Sequence, residues 1–191
     1  MTRMAIVEIP YELICQRVEL DWNDIKFGIE HQLVKPKAAV EKATEQLREV
    51  NRAPKEVIEL AGLAASESVV DLVSRLARAE TSTGDAYVKA KWLYLVLDWL
   101  FDYRASLVDP LEMVETVYSD FDYPKEIASF VRYMPMNGPD LGNREQNEAR
   151  LFDRWKEYLD RARNQFGRTP EQPKVMGNPP NTPGGPRPRS T

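Results

Sequence analysis

Asp98 and Asp102 stand four residues apart within KAKWLYLVLDWLFDYR, residues 89–104, so on an α-helix they lie one turn apart on the same face. Two carboxylates at that spacing can share acid–base work or hold a divalent cation, which makes a carboxylate-based hydrolase the enzymatic alternative for this chain. The surrounding chemistry is sparse. His31 is the only histidine, and no Glu-x-x-His sequence occurs, so a histidine-rich metal site has no material. His31 itself is expected to be a packing or surface residue at a helix end. Cys15, the single cysteine, sits among apolar residues and reads as a small buried hydrophobe rather than a nucleophile. The glycines in GNR and TPGGP lack the strand–turn–helix setting of a phosphate loop. No catalytic set, metal or cofactor is therefore expected. The simpler reading of Asp98 and Asp102 is a solvent strip along their helix, partnered by Lys91 or Arg104.

A second constellation is of another kind. In DYRASLVDPLEMVETVYSDFDYP, residues 102–124, the acids Asp102, Asp109, Glu112, Glu115, Asp120 and Asp122 interleave with Tyr103, Tyr118, Phe121 and Tyr123. Acidic side chains beside exposed aromatics make a surface suited to a basic protein partner. The expected contact residues are Asp98, Asp102, Asp109, Glu112, Asp120, Asp122 and Tyr123. The competing reading is solvated acids over buried aromatics.

Helices must carry all of these residues. Around the 89–104 stretch, Lys91, Asp98 and Asp102 fall on one line, while large apolar residues occupy the rest of the circumference. Such a helix is buried by neighbours on several sides or enters a membrane. Its apolar run is far shorter than the roughly 20 residues that span a bilayer, so burial is expected and a membrane is not.

Amphipathic segments surround it. Helices are expected at 11–18, from Asp21 to near Val34, from Pro36 to Val50, over 55–60, and from a Ser66 or Ser68 cap through Leu76. Others follow from Asp109, from Pro124 with Ile127, Phe130 and Met134 inward, and up to Phe166 before Gly167. Surface pairs are expected between Asp71 and Arg75 and between Glu157 and Arg161. The fold expected is thus all-α, one domain of about eight or nine helices around a central apolar helix. Four helices opening with proline fall into two pairs offset by 74 and 70 residues (Pro36 with Pro110, Pro54 with Pro124). That offset suggests duplicated helical hairpins and, with them, a repeat-type adaptor or scaffold as another functional alternative.

The chain has 191 residues, 42% hydrophobic and 29% charged, an ordinary composition for one globular domain. Residues 1–167 are expected to form it, and 168–191, with seven of the 14 prolines, to be a disordered tail. Net charge is −4, but the tail carries four basic residues and one acid, +3, which leaves −7 on the body. An acidic body argues against binding nucleic acid through phosphate neutralisation and favours a basic partner. With one cysteine and no N-terminal apolar run of signal-peptide length, the expected location is the cytoplasm.

In LDWNDIKFGIEH, KWLYLVLDWLFDYR and, most specifically, VYSDFDYPKEIASFVRYMP, the sequence resembles a bacterial family of unknown function, DUF2247, over most of 18–159. The resemblance brings no catalytic residues with it. It implies a small acidic cytoplasmic protein of the kind found beside bacterial toxin genes, hence an immunity protein. The leading expectation is therefore a non-enzymatic protein that binds a basic toxin through the acidic and aromatic surface.

Overall fold

A computed structural model describes residues 7–50, 52–64, 67–81, 83–135 and 142–168. Eight α-helices follow one another among these residues: α1 Tyr11–Arg17, α2 Trp22–Glu30, α3 Lys37–Glu49, α4 Lys55–Ala61, α5 Val70–Ala79, α6 Asp85–Tyr103, α7 Pro110–Asp120 and α8 Arg144–Phe166. Short 3-10 helices occupy Arg104–Ser106 and Ala128–Phe130. No strand forms among the described residues; the one β-type pairing is an isolated antiparallel bridge between Val18 and Gly167. The fold is all-α, as expected. The expected tail lies outside the described residues apart from Arg168, as does the Ser66 cap, while Ser68 Oγ accepts from the Val70 N–H at 3.4 Å.

The central helix is α6, and it is buried from Lys91 through Asp98. α2, α7 and α8 pack directly around it, α5 lies on α2, and α4 bridges α3 and α5. Trp92, Leu97 and Leu100 are fully enclosed. Gly84, with φ +90°, turns the chain into α6, which therefore begins at Asp85, four residues earlier than the apolar pattern alone suggests. Gly28 permits the closest approach: a methyl group there would run into the Trp92 indole, 2.7 Å from Cη2, and lie 2.9 Å from Val34 Cγ1.

Two boundaries differ from expectation, each for a local reason. α2 stops at Glu30 rather than near Val34, because Gln32 adopts φ 59° and the Leu33 N–H turns back to Gly28 O at 2.8 Å. That closure folds Leu33 and Val34 into the core, where both are buried. The segment after Pro124 is not an α-helix. Its amides bond three residues back, Ile127 to Pro124 at 3.2 Å and Phe130 to Ile127 at 3.1 Å, because a tight turn buries Ile127 and the adjacent Phe130 and Val131 together. The duplicated hairpin is corrected accordingly: α4 lies on α3 and α5, whereas the Ala128–Phe130 turn lies on α8. The 70–74 offset records proline at turn starts, not a repeated unit.

Candidate functional site

Asp98 and Asp102 do sit one turn apart on α6, but they do not form a solvent strip. Asp98 is 4% exposed. Arg17, at the end of α1, spans both acids, with Nε on Asp98 and Nη2 on Asp102, and Arg163 of α8 reaches the other Asp98 oxygen at 3.3 Å. The expected partners are engaged elsewhere. Lys91 is buried against Asp24 of α2 at 2.5 Å, and the Arg104 guanidinium lies 4.0 Å from the centroid of Phe101. The polar line of α6 is thus a seam against α1, α2 and α8, and Asp98 itself offers almost no surface to a partner, being buried with its two oxygens on Arg17 and Arg163. Asp102 remains half-exposed beside it.

The seam has a second member. Asp24 caps α2 reciprocally with Asp21, accepting from the Asp21 N–H at 2.9 Å on the same oxygen that receives Lys91. Its other oxygen, Oδ1, is buried with no hydrogen-bond partner. Burial pushes the Asp24 carboxyl up to about 6, against the pull of the Lys91 ammonium and the Asp21 amide.

α7, its cap and the turn after it carry Asp109, Glu112, Asp120, Asp122 and Tyr123. Asp109 caps α7, accepting from the Leu111 and Glu112 N–H groups at 3.1 and 3.0 Å, with Pro110 at the first helical position. Leu111, Val114 and Val117 point inward, which turns Glu112, Thr116 and Ser119 outward. Arg132 ties Asp109 and Glu115 at 2.8 and 3.1 Å, and its hydrogen bond to Asp109 holds that carboxyl below the usual range. Lys89 does the same for Asp122. Desolvation instead pushes the half-buried Asp120 carboxyl up. Glu112 is exposed and carries no ion pair among the described residues.

The aromatic part of this face centres on Tyr118. Tyr123 meets it edge-on at 5.3 Å and Tyr133 lies 6.2 Å away, the two outer rings being 60% and 57% exposed. Asp122 and Tyr123 are consecutive non-glycine residues with φ 61° and 57°. Left-handed backbone disfavours ordinary side chains, and strain of this sort concentrates at functional sites. It closes α7 through the Tyr123 N–H to Tyr118 O bond of 2.8 Å and leaves the Tyr123 ring standing outward. Tyr133, Arg132 and Glu115 were not among the expected contact residues. Glu115 stood in the acid and aromatic run already, and the signal for Arg132 and Tyr133 was their adjacency in FVRYMP, which a helical reading of that segment obscured.

The single histidine and cysteine are packing residues. His31 ends α2 with its ring 4.1 Å from that of Phe27, and burial pulls its pKa down. Cys15 is half-buried near Tyr11, and burial pushes its thiol up, away from the reactive thiolate. Among the described residues no three His, Cys, Asp or Glu side chains gather as metal ligands, and no helix is long and apolar enough to cross a membrane.

The model of a family described as uncharacterized proteins conserved in bacteria matches residues 11–163. The chain belongs to DUF2247. No curated protein and no solved structure matches it. The DUF2247 match runs from the first residue of α1 through Arg163, the α8 residue on Asp98, so it takes in the polar seam as well as the α7 face.

Proposed function

We propose that this DUF2247 member is a non-enzymatic partner-binding protein that captures a basic protein through the face of α7 and its following turn, the task an immunity protein performs on a basic toxin. The observation that carries the reading is the outward tyrosine pair, Tyr123 and Tyr133, at the end of a helix and turn that also carry Glu112, Glu115 and Asp122, on a body of charge −7. Rigid aromatic anchors supply contact energy, and surrounding acids steer a positively charged partner onto them. Resemblance to proteins found beside toxin genes supports the toxin as that partner. Engagement of Asp98 and Asp102 by Arg17 and Arg163 supports a scaffold role for those acids rather than hydrolysis.

The test is co-expression with the product of an adjacent toxin-like gene. Protection of the cells and co-purification are expected, and Glu112→Lys with Tyr133→Ala should weaken both while the melting temperature stays unchanged. Asp109 is left intact in that variant because it caps α7. Failure to protect and to co-purify sinks the proposal; capture that ignores both substitutions moves the interface elsewhere.

A further inference from the structure

A groove of about 760 Å³ lies between α6, the turn after α7 and the C-terminal part of α8, apart from the face assigned to protein capture except where Asp122 and Tyr123 form its rim. Its floor is apolar: Leu93, Phe121 and Phe166 line it and are each less than a tenth exposed. Tyr158 lines it too, 7% exposed, its ring 5.7 Å from Phe130. The Tyr158 hydroxyl has no hydrogen-bond partner among the described residues. The ring is buried while the hydroxyl reaches the open space of the groove, where the acceptor of a ligand can take the place of water.

Charge decides what that ligand is. Lys125 and Arg161 line the groove without an ion pair among the described residues, since the expected Glu157–Arg161 pair does not form. Lys89 is already matched by Asp122, and Glu126 is the one further carboxylate, so the lining holds three positive groups against two negative. That balance is opposite in sign to the −7 body around it. Arg161 and Glu126 both lie close enough to bear electrostatically on the Tyr158 phenol, and burial pushes that phenol up, keeping it a neutral O–H donor. Pockets of this size with an apolar lining and a few convergent polar groups are the usual form of small-molecule sites.

We propose that the groove binds an apolar carboxylate, its acyl or aryl body on Leu93, Phe121 and Phe166 and its carboxylate taken by Arg161, Lys125 and the Tyr158 hydroxyl. The pairing is charge-assisted, and the guanidinium fork and the phenol both donate to the carboxylate.

Titrating the full chain with octanoate, octanol and octylammonium, read by calorimetry and by chemical shifts of Leu93 and Ala162, tests this. Octanoate is expected to bind saturably in the groove, with octanol at least about tenfold weaker and octylammonium weaker still. Tyr158→Phe removes only the unpaired hydroxyl, and Arg161→Met changes an exposed residue, so both variants should keep the parent melting temperature. Each should weaken octanoate by about tenfold while leaving octanol unchanged. Octylammonium or octanol matching octanoate, absence of shifts at Leu93 and Ala162, or octanoate binding indifferent to both substitutions would each overturn it. Partner capture is read through Glu112 and Tyr133, so either result stands without the other.

Discussion

Replacing Lys91 with methionine tests the buried seam, because the stem is kept and only the ammonium that faces Asp24 is lost. With Lys91 present the Asp24 carboxyl titrates at about 6 against an unfolded value of 3.8. Without it, burial acts unopposed and the carboxyl moves higher still. In both proteins the folded pKa lies above the unfolded one, so the contribution of this group to stability is fullest at low pH and declines as pH rises. The decline ends near 6 in the parent and continues in the variant. Each pH unit in that interval is worth about 1.4 kcal/mol, so between about pH 5 and about pH 7.5 the deficit of the variant relative to the parent grows by up to about 2 kcal/mol. The whole deficit at about pH 7.5 should reach about 3–5 kcal/mol, the range for breaking a buried pair. Urea unfolding of both proteins at the two pH values measures it. A deficit equal at both would refute the reasoning, since it would make Lys91 a packing residue rather than the counter-charge of Asp24.

Gly28→Ala should destabilise by about 1–3 kcal/mol or more, because its methyl meets the buried Trp92 and Val34, neither of which has room to shift; thermal unfolding checks this. Leu97→Ala should cost about 2–5 kcal/mol in urea, whereas Trp99→Ala should cost less, because Trp99 is only partly buried and stacks on the exposed Tyr103 at 4.6 Å. Asp109→Ala should cost about 1 kcal/mol through loss of the α7 cap, read as a lower melting temperature.

The periodicity of α6, the Asp21 and Asp109 caps and the prolines opening α4 and α7 were readable directly, since each depends on neighbours within a turn or two. The partners of α6 were not. Lys91 and Asp24 are 67 positions apart, and Arg17 and Asp98 are 81, so a helical wheel places the polar line correctly without showing that α1 and α2 cover it. Arg75 illustrates the same limit. It faces Glu56 and Glu59 on α4, each at 3.9 Å, rather than Asp71 one turn away on α5. Of the expected contact residues, those on α7 and its turn came out together because one helix carries them. Asp98 did not, because nothing local to α6 reveals an arginine arriving from α1.

The meeting of α1 with α8 bears on the order in which the molecule assembles. Val18 bridges Gly167, and the Arg168 N–H donates to Arg17 O at 2.8 Å, so the contact closes a loop holding nearly every described residue. Equilibrium stability is little affected by so long a loop, because closure entropy grows only with the logarithm of its length. Folding rate is affected more, since contacts this distant in sequence slow the search for the native topology. Arg17 belongs to α1 and Arg163 to α8, so each of the two elements that meet in this closure brings one charge to Asp98. Without α1 and α8 the most apolar of these helices, α6, would carry the Asp98 carboxylate without either arginine. Enclosing Asp98 with both of its counter-charges therefore requires α1 and α8 alike to be docked on α6.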